Sequence, residues 1–125
     1  MTANPYSTEV RALFANPSHS GELDAGVAVS LEEQGMRLQL SAWARGGRID
    51  ALRFRAWGCP HFIAAAECLC ARYEGRAAVD LESVSATEFM QSLGIPVEKT
   101  GRILVIEDVA RALGHKLREA SNSET

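Results

Sequence analysis

An abrupt change of period over Arg53–Tyr73, RFRAWGCPHFIAAAECLCARY, constrains this chain more than any other stretch. Phe54 points one way and Arg53, Arg55 and Trp57 the other, as in a strand covered on one face. From Phe62 onward, Ala65, Ala66, Leu69 and Tyr73 follow at helical spacing. Gly58-Cys59-Pro60 forms the junction. Glycine takes backbone angles that other residues resist, and proline suits the first turn of a helix. The Cys59 sulfur is therefore predicted at or beside a helix N-terminus, where unpaired N–H groups and the positive end of the dipole favour a thiolate. An inert buried cysteine is the competing expectation and the commoner fate of a lone one.

The 125 residues suffice for one domain with its own core, predicted over 1–120, with 121–125 as a disordered tail. A net charge of −3 and scattered arginines argue against nucleic acid as a partner. No apolar run is long enough to span a membrane, and the opening MTANPYSTEV has neither the charged start nor the apolar core of a secretion signal. Three cysteines, an odd number without an export signal, argue against a disulfide framework and for the cytoplasm.

Ser7-Thr8-Glu9 opens a short helix that Asn16-Pro17 stops, because the residue before proline is pushed out of helical geometry. Asn16–Gly26 is a loop by composition, and His19 within it is expected to be solvated. Three alternating runs follow: Val27–Leu31, Met36–Trp43 and Leu52–Ala56. Each has one apolar face, the mark of antiparallel strands covered on one side. Glu32-Glu33-Gln34-Gly35 joins the first two and Arg45-Gly46-Gly47-Arg48 the second pair. A helix over Pro60–Tyr73 comes next, then a short one that Ser85-Ala86-Thr87-Glu88 would start as a capping box and Gly94 would end. The last helix, about Thr100–Ala120, buries Ile103, Ile106, Val109, Ala110, Leu113 and Leu117, with Glu107 and Arg111 as a surface pair. Gly114 is expected to loosen its end. The fold class is α+β, a three-stranded antiparallel sheet with helices packed on one face. Trp43 and Trp57 fall on the other face, as an exposed patch or beneath the N-terminal segment.

In this order the chain resembles the NifU/IscU family of iron–sulfur cluster assembly scaffolds. The matching words are Tyr6-Ser7, Asn16-Pro17, Gly21, Met36-Arg37-Leu38-Gln39-Leu40, Ile49-Asp50-Ala51, Arg53-Phe54, Trp57-Gly58-Cys59, Ile63-Ala64, Ile95-Pro96-Val97 and Ile103-Leu104. The resemblance implies a site of three cysteines, an aspartate and a histidine that holds a nascent cluster or zinc. Matching on Met36–Leu40 puts Glu32 at the first cysteine and Gln34 at the aspartate. Cys59 matches the second cysteine, and Thr100-Gly101 stands where histidine and the third cysteine would be. One ligand position of five is kept. A [2Fe–2S] cluster is usually held by four thiolates, and zinc wants four N, S or O donors.

The candidate metal set is therefore Cys59 with Glu32 and His61, and Glu33 nearby; His61 pointing to solvent is the favoured alternative. A labile iron–sulfur cluster, zinc, or no cofactor at all are the open states. Cys68 and Cys70 sit about 200° apart on a helix and cannot share an ion; packing explains both. The resemblance implies a cysteine desulfurase or another assembly protein as partner, with a homodimer sharing two Cys59 thiolates as one arrangement. Leu93-Gly94-Ile95-Pro96-Val97-Glu98-Lys99 lacks the double proline of the family's Leu-Pro-Pro-Val-Lys motif, which argues against chaperone recognition. Three functions remain, none of them an enzyme in the strict sense: a scaffold degenerate at its ligand site, a metal-free module docking to a desulfurase, and a persulfide acceptor at Cys59. Ligand chemistry favours the second for the isolated protein. The third ranks last, because no general base stands at a supporting spacing.

Overall fold

The computed structural model describes residues 6–123. Helix α1 spans Thr8–Ala15, strands β1, β2 and β3 span Val27–Glu33, Met36–Arg45 and Arg48–Trp57, and helices α2, α3 and α4 span Pro60–Tyr73, Ala86–Leu93 and Thr100–Ser123. Short 3-10 turns at Ala78–Ser83 and Val97–Lys99 precede α3 and α4. The strands form one antiparallel sheet in the order β1-β2-β3, the α+β architecture expected. Leu38, Leu40, Leu52 and Phe54 on its apolar face are buried beneath Phe62 and Leu69 of α2 and Ile103, Ile106 and Leu113 of α4.

The strands run longer than the alternation predicts. A bulge between Trp43 and Ala44 shifts the phase of β3, so Ile49, Ala51, Leu52 and Phe54 are all buried and no single alternation covers them. The first hairpin is also tighter than predicted. Glu32 and Glu33 are strand residues opposite Arg37 and Met36. Only Gln34 and Gly35 turn the chain, at φ 53° and 78°, the pair of left-handed residues that matches strand twist.

The segment after α1 does not float in solvent. Phe54 N donates to His19 O at 3.0 Å and Gly21 N to Phe54 O at 2.8 Å, so residues 19–21 close the free edge of β3. His19 is held from below. Its Nδ1 lies 2.6 Å from Oε2 of Glu67 on α2, and its backbone N donates to Oε1 at 2.7 Å. Glu67 itself is buried. The expectation of a solvated His19 fails because its partner lies 48 residues away in sequence.

Two caps are rewired. Ser85 Oγ accepts from Thr87 N at 3.3 Å, but Glu88 takes the Tyr73 hydroxyl at 2.8 Å instead of completing a capping box. Glu107, predicted as a surface partner of Arg111, accepts from Ala86 N at 3.0 Å and so caps α3, with Arg111 3.8 Å away. Gly114 does not fray α4, which runs on through Ser123. A Cβ there would stand 2.9 Å from Leu81 Cβ, so the glycine is what lets α4 cross the 3-10 turn this closely. Of the expected tail, residues 124 and 125 lie outside the described residues.

Candidate functional site

Cys59 is the N-cap of α2, in extended backbone (φ −75°, ψ 166°) with proline directly after it. Gly58 is required here for room, not for a left-handed angle. A Cβ on it would lie 2.9 Å from Phe62 Cδ2, and Phe62 is a fully buried core residue. The strand-to-helix corner thus closes over Phe62 and leaves the Cys59 side chain half-buried at the rim.

Burial pushes the Cys59 thiol up. The Phe62 N–H, the Arg102 guanidinium and the His61 N–H outweigh it, and the thiol settles below the usual cysteine value. The sulfur makes no regular capping hydrogen bond; its stabilisation comes from groups that face it. The other two cysteines go the opposite way. Burial, then the Glu88 and Glu67 charges, raises Cys68 despite Arg72 beside it. Burial raises Cys70 further still. Cys70 is buried in the core and Cys68 is partly buried against it.

This asymmetry has a measurable result. Only the thiolate alkylates, so a lowered thiol reacts at a lower pH than a free one. Iodoacetamide at pH 7 will modify Cys59 about tenfold or more faster than Cys68 or Cys70. The rate–pH midpoint of Cys59 will lie below that of free cysteine, and Arg102→Ala will move it up. Equal rates at the three thiols, or a midpoint indifferent to Arg102, would contradict the assigned electrostatics.

His61 does not point to solvent. Its side chain is 2% exposed, neither ring nitrogen has a hydrogen-bond partner, and the Tyr6 ring lies 4.7 Å from it, centroid to centroid. Burial, then the Lys99 and Arg102 charges, hold its pKa down, so the imidazole is neutral. Glu32 is exposed on β1 with Arg37 across from it. Among the described residues no three His, Cys, Asp or Glu side chains converge on a point that could hold a metal ion. Cys59, Glu32 and His61 therefore do not form a cage in this conformation.

At the start of α4, the side chain whose charge acts on the Cys59 sulfur belongs to Arg102, one residue past the Thr100-Gly101 pair singled out from the sequence. A guanidinium donates hydrogen bonds and cannot be deprotonated, so it cannot ligate a cation and repels one. One thiolate beside a fixed positive charge is a donor set that fits neither zinc nor an iron–sulfur cluster. It fits an anionic sulfur.

Beyond the corner, Trp57 is about half exposed, with the Arg37 guanidinium 5.1 Å and the Arg55 guanidinium 5.8 Å from its ring centroid. Trp43 is similarly exposed, and its indole N–H donates to Asp24 O at 2.9 Å. No helix among the described residues is long and apolar enough to cross a membrane.

The chain matches the profile of the NifU-like N terminal domain over residues 5–120. It is 27% identical over 115 residues to the mitochondrial iron sulfur cluster assembly protein 1 of Eremothecium gossypii, covering 86% of this chain and 75% of that protein. It is 28% identical over 115 residues to the iron-sulfur cluster assembly scaffold protein IscU of Azotobacter vinelandii, covering 86% of this chain and 89% of that one. The fold resembles the crystal structure of a nitrogen-fixing NifU-like protein (N-terminal) from Brucella abortus, with a TM-score of 0.73 at 11% identity, over 90% of this chain and 94% of that one.

Proposed function

Because this chain belongs to the NifU-like N-terminal domain family, we propose that it serves iron–sulfur cluster assembly as a scaffold-like sulfur carrier, degenerate at its ligand site, in which Cys59 accepts sulfur from a cysteine desulfurase or another assembly protein. One observation carries this reading. The half-buried Cys59 thiol faces Arg102 and two backbone N–H groups, while among the described residues no other thiol or carboxylate completes a metal cage around it. The relatives named for cluster assembly support the general role.

The step balances without an outside oxidant. The Cys59 thiolate attacks the outer sulfur of a donor persulfide and forms a new S–S bond at Cys59. The donor's S–S bond breaks, and its cysteine leaves as a thiolate that takes a proton from solvent. Sulfur moves at an unchanged oxidation level, and the product on Cys59 is again a persulfide. Arg102 supplies what a general base would otherwise have to, because the thiol is already biased toward its anion. The protein is loaded stoichiometrically and so acts as a carrier, not an enzyme. Three free thiols suit a reducing compartment such as the cytoplasm.

The test uses the purified full chain, a cysteine desulfurase and free cysteine, read by intact and peptide mass. A one-sulfur gain on Cys59 is expected, abolished by Cys59→Ser and retained in Cys68→Ser. In parallel, anaerobic incubation with iron and sulfide is expected to give no charge-transfer absorption. A Cys59-dependent cluster spectrum would instead favour a working, if weak, scaffold. Failure of Cys59 to take up sulfur from any persulfide would end the carrier reading.

A further inference from the structure

The overall charge of the chain is −3, yet cations gather at the Cys59 corner. Arg37 and Arg55 flank Trp57 on the outer face of the sheet, two residues before Cys59. On the other side, Lys99 and Arg102 stand close enough to act on His61, and Arg102 on Cys59 as well. Among the described residues no carboxylate pairs with Arg37, Lys99 or Arg102, including Glu32 across the ladder from Arg37. Arg55 has only Glu22, 3.4 Å away, with both side chains about half exposed. Exposed pairs of that kind are weak and readily exchanged. The half-exposed tryptophan is thus rimmed by cations that are either without a carboxylate partner or held by a weak one. Such a patch recognises carboxylates by charge and an apolar residue by the indole face.

From this we infer that the Arg37–Trp57–Arg55 face, with Lys99 and Arg102 beside it, is the docking surface for an acidic, cysteine-bearing segment of a protein partner, which it seats so that the segment's cysteine meets Cys59. This rests on the sulfur-carrier reading for the purpose of docking, but the docking itself can be measured separately. Trp57 lies two residues before Cys59 and is about half exposed, so this face adjoins the half-buried thiol along the chain. Peptide is preferred over a nucleic acid because the remaining surface is acidic and offers no extended basic track.

Two synthetic peptides of equal length serve as probes, each with one central residue, serine for binding and cysteine persulfide for transfer. One is flanked by Asp and Glu, the other by Lys and Arg. The acidic serine peptide is expected to bind and shift the Trp57 indole resonance. Its persulfide counterpart should load Cys59 about tenfold or more faster than the basic one at low salt, with the advantage lost near 1 M salt. Arg37→Glu with Arg55→Glu should reverse the preference, and Trp57→Ala should weaken binding while circular dichroism stays unchanged. Equal binding of the two peptides, a preference indifferent to the arginine changes, or tighter binding of a single-stranded oligonucleotide at Trp57 would overturn the docking inference. Acidic-peptide binding without any sulfur transfer would leave the docking intact and sink the carrier reading. Equal loading from both peptides would do the reverse.

Discussion

Glu67→Ala is expected to cost this protein about 3 kcal/mol, among the largest losses any single polar side chain here could produce. Glu67 is 2% exposed and accepts from His19 N at 2.7 Å, faces His19 Nδ1 at 2.6 Å and accepts from Ser18 Oγ at 3.3 Å. Alanine would strand these donors and leave a cavity under the segment that closes β3. The other ring nitrogen of His19, 3.4 Å from Glu74, cannot hold that segment alone. Against a typical total stability of about 5–15 kcal/mol, the melting temperature should fall by roughly 10–15 °C. Glu67→Gln should lose about half as much, since an amide keeps one acceptor but turns a donor toward donors. Amide exchange adds a local signature: Phe54 and Gly21 should lose protection before the β2 amides do. Chemical denaturation checks the magnitude. A Glu67→Ala protein within about 1 kcal/mol of the parent would mean the network contributes little.

The second large effect is expected at Gly114, where Leu should destabilise by about 2–3 kcal/mol. A Cβ there would sit 2.9 Å from Leu81 Cβ and 3.0 Å from the Glu82 backbone nitrogen. Neither atom is the free end of a flexible chain, so the whole turn Ala78–Ser83 would have to back away. Leu81 is fully buried, and Glu82 accepts two hydrogen bonds from Arg118, at 3.0 and 3.1 Å. Retreat would therefore loosen both. Alanine regains about 1 kcal/mol of helix propensity, so Gly114→Ala should lose only about 1 kcal/mol net. Gly101→Ala is the matched control. Nothing lies within 4 Å of its added Cβ, and the change should be neutral or stabilising. If both alanine variants melt alike, close approach is not what glycine supplies at position 114.

Much of the fold follows from local pattern. The period change at Gly58-Cys59-Pro60, the one-sided strands and the stripe of α4 each lie within a few neighbouring residues, and each appears as expected. The misses share a cause of another kind. Glu67 sits on α2 as an apparently misplaced charge, and only a loop far away in sequence explains it. Glu107 makes its expected pair with Arg111, but its bond from Ala86 N, 21 residues distant, has no local signal. Ile49 was hidden by a bulge that breaks the alternation.

At the site, Cys59 and its helix-capping place were legible, since a strand, a turn residue and a proline announce them. The burial of His61 was not, because position within the first helical turn does not say what packs over it; here Tyr6 does. Arg102 was missed by one position. A helix turns about 100° per residue, so an offset of one exchanges a glycine with no side chain for a cation beside the sulfur.

The Gln34–Gly35 reversal sets a mechanical limit on this molecule. Two residues at positive φ form the shortest link two antiparallel strands commonly use, and it carries no slack. Sliding by one residue would turn Leu31 and Leu38 out of the interior together. The reversal therefore seats the Glu32 and Glu33 carboxylates in the ladder, opposite Arg37 and Met36.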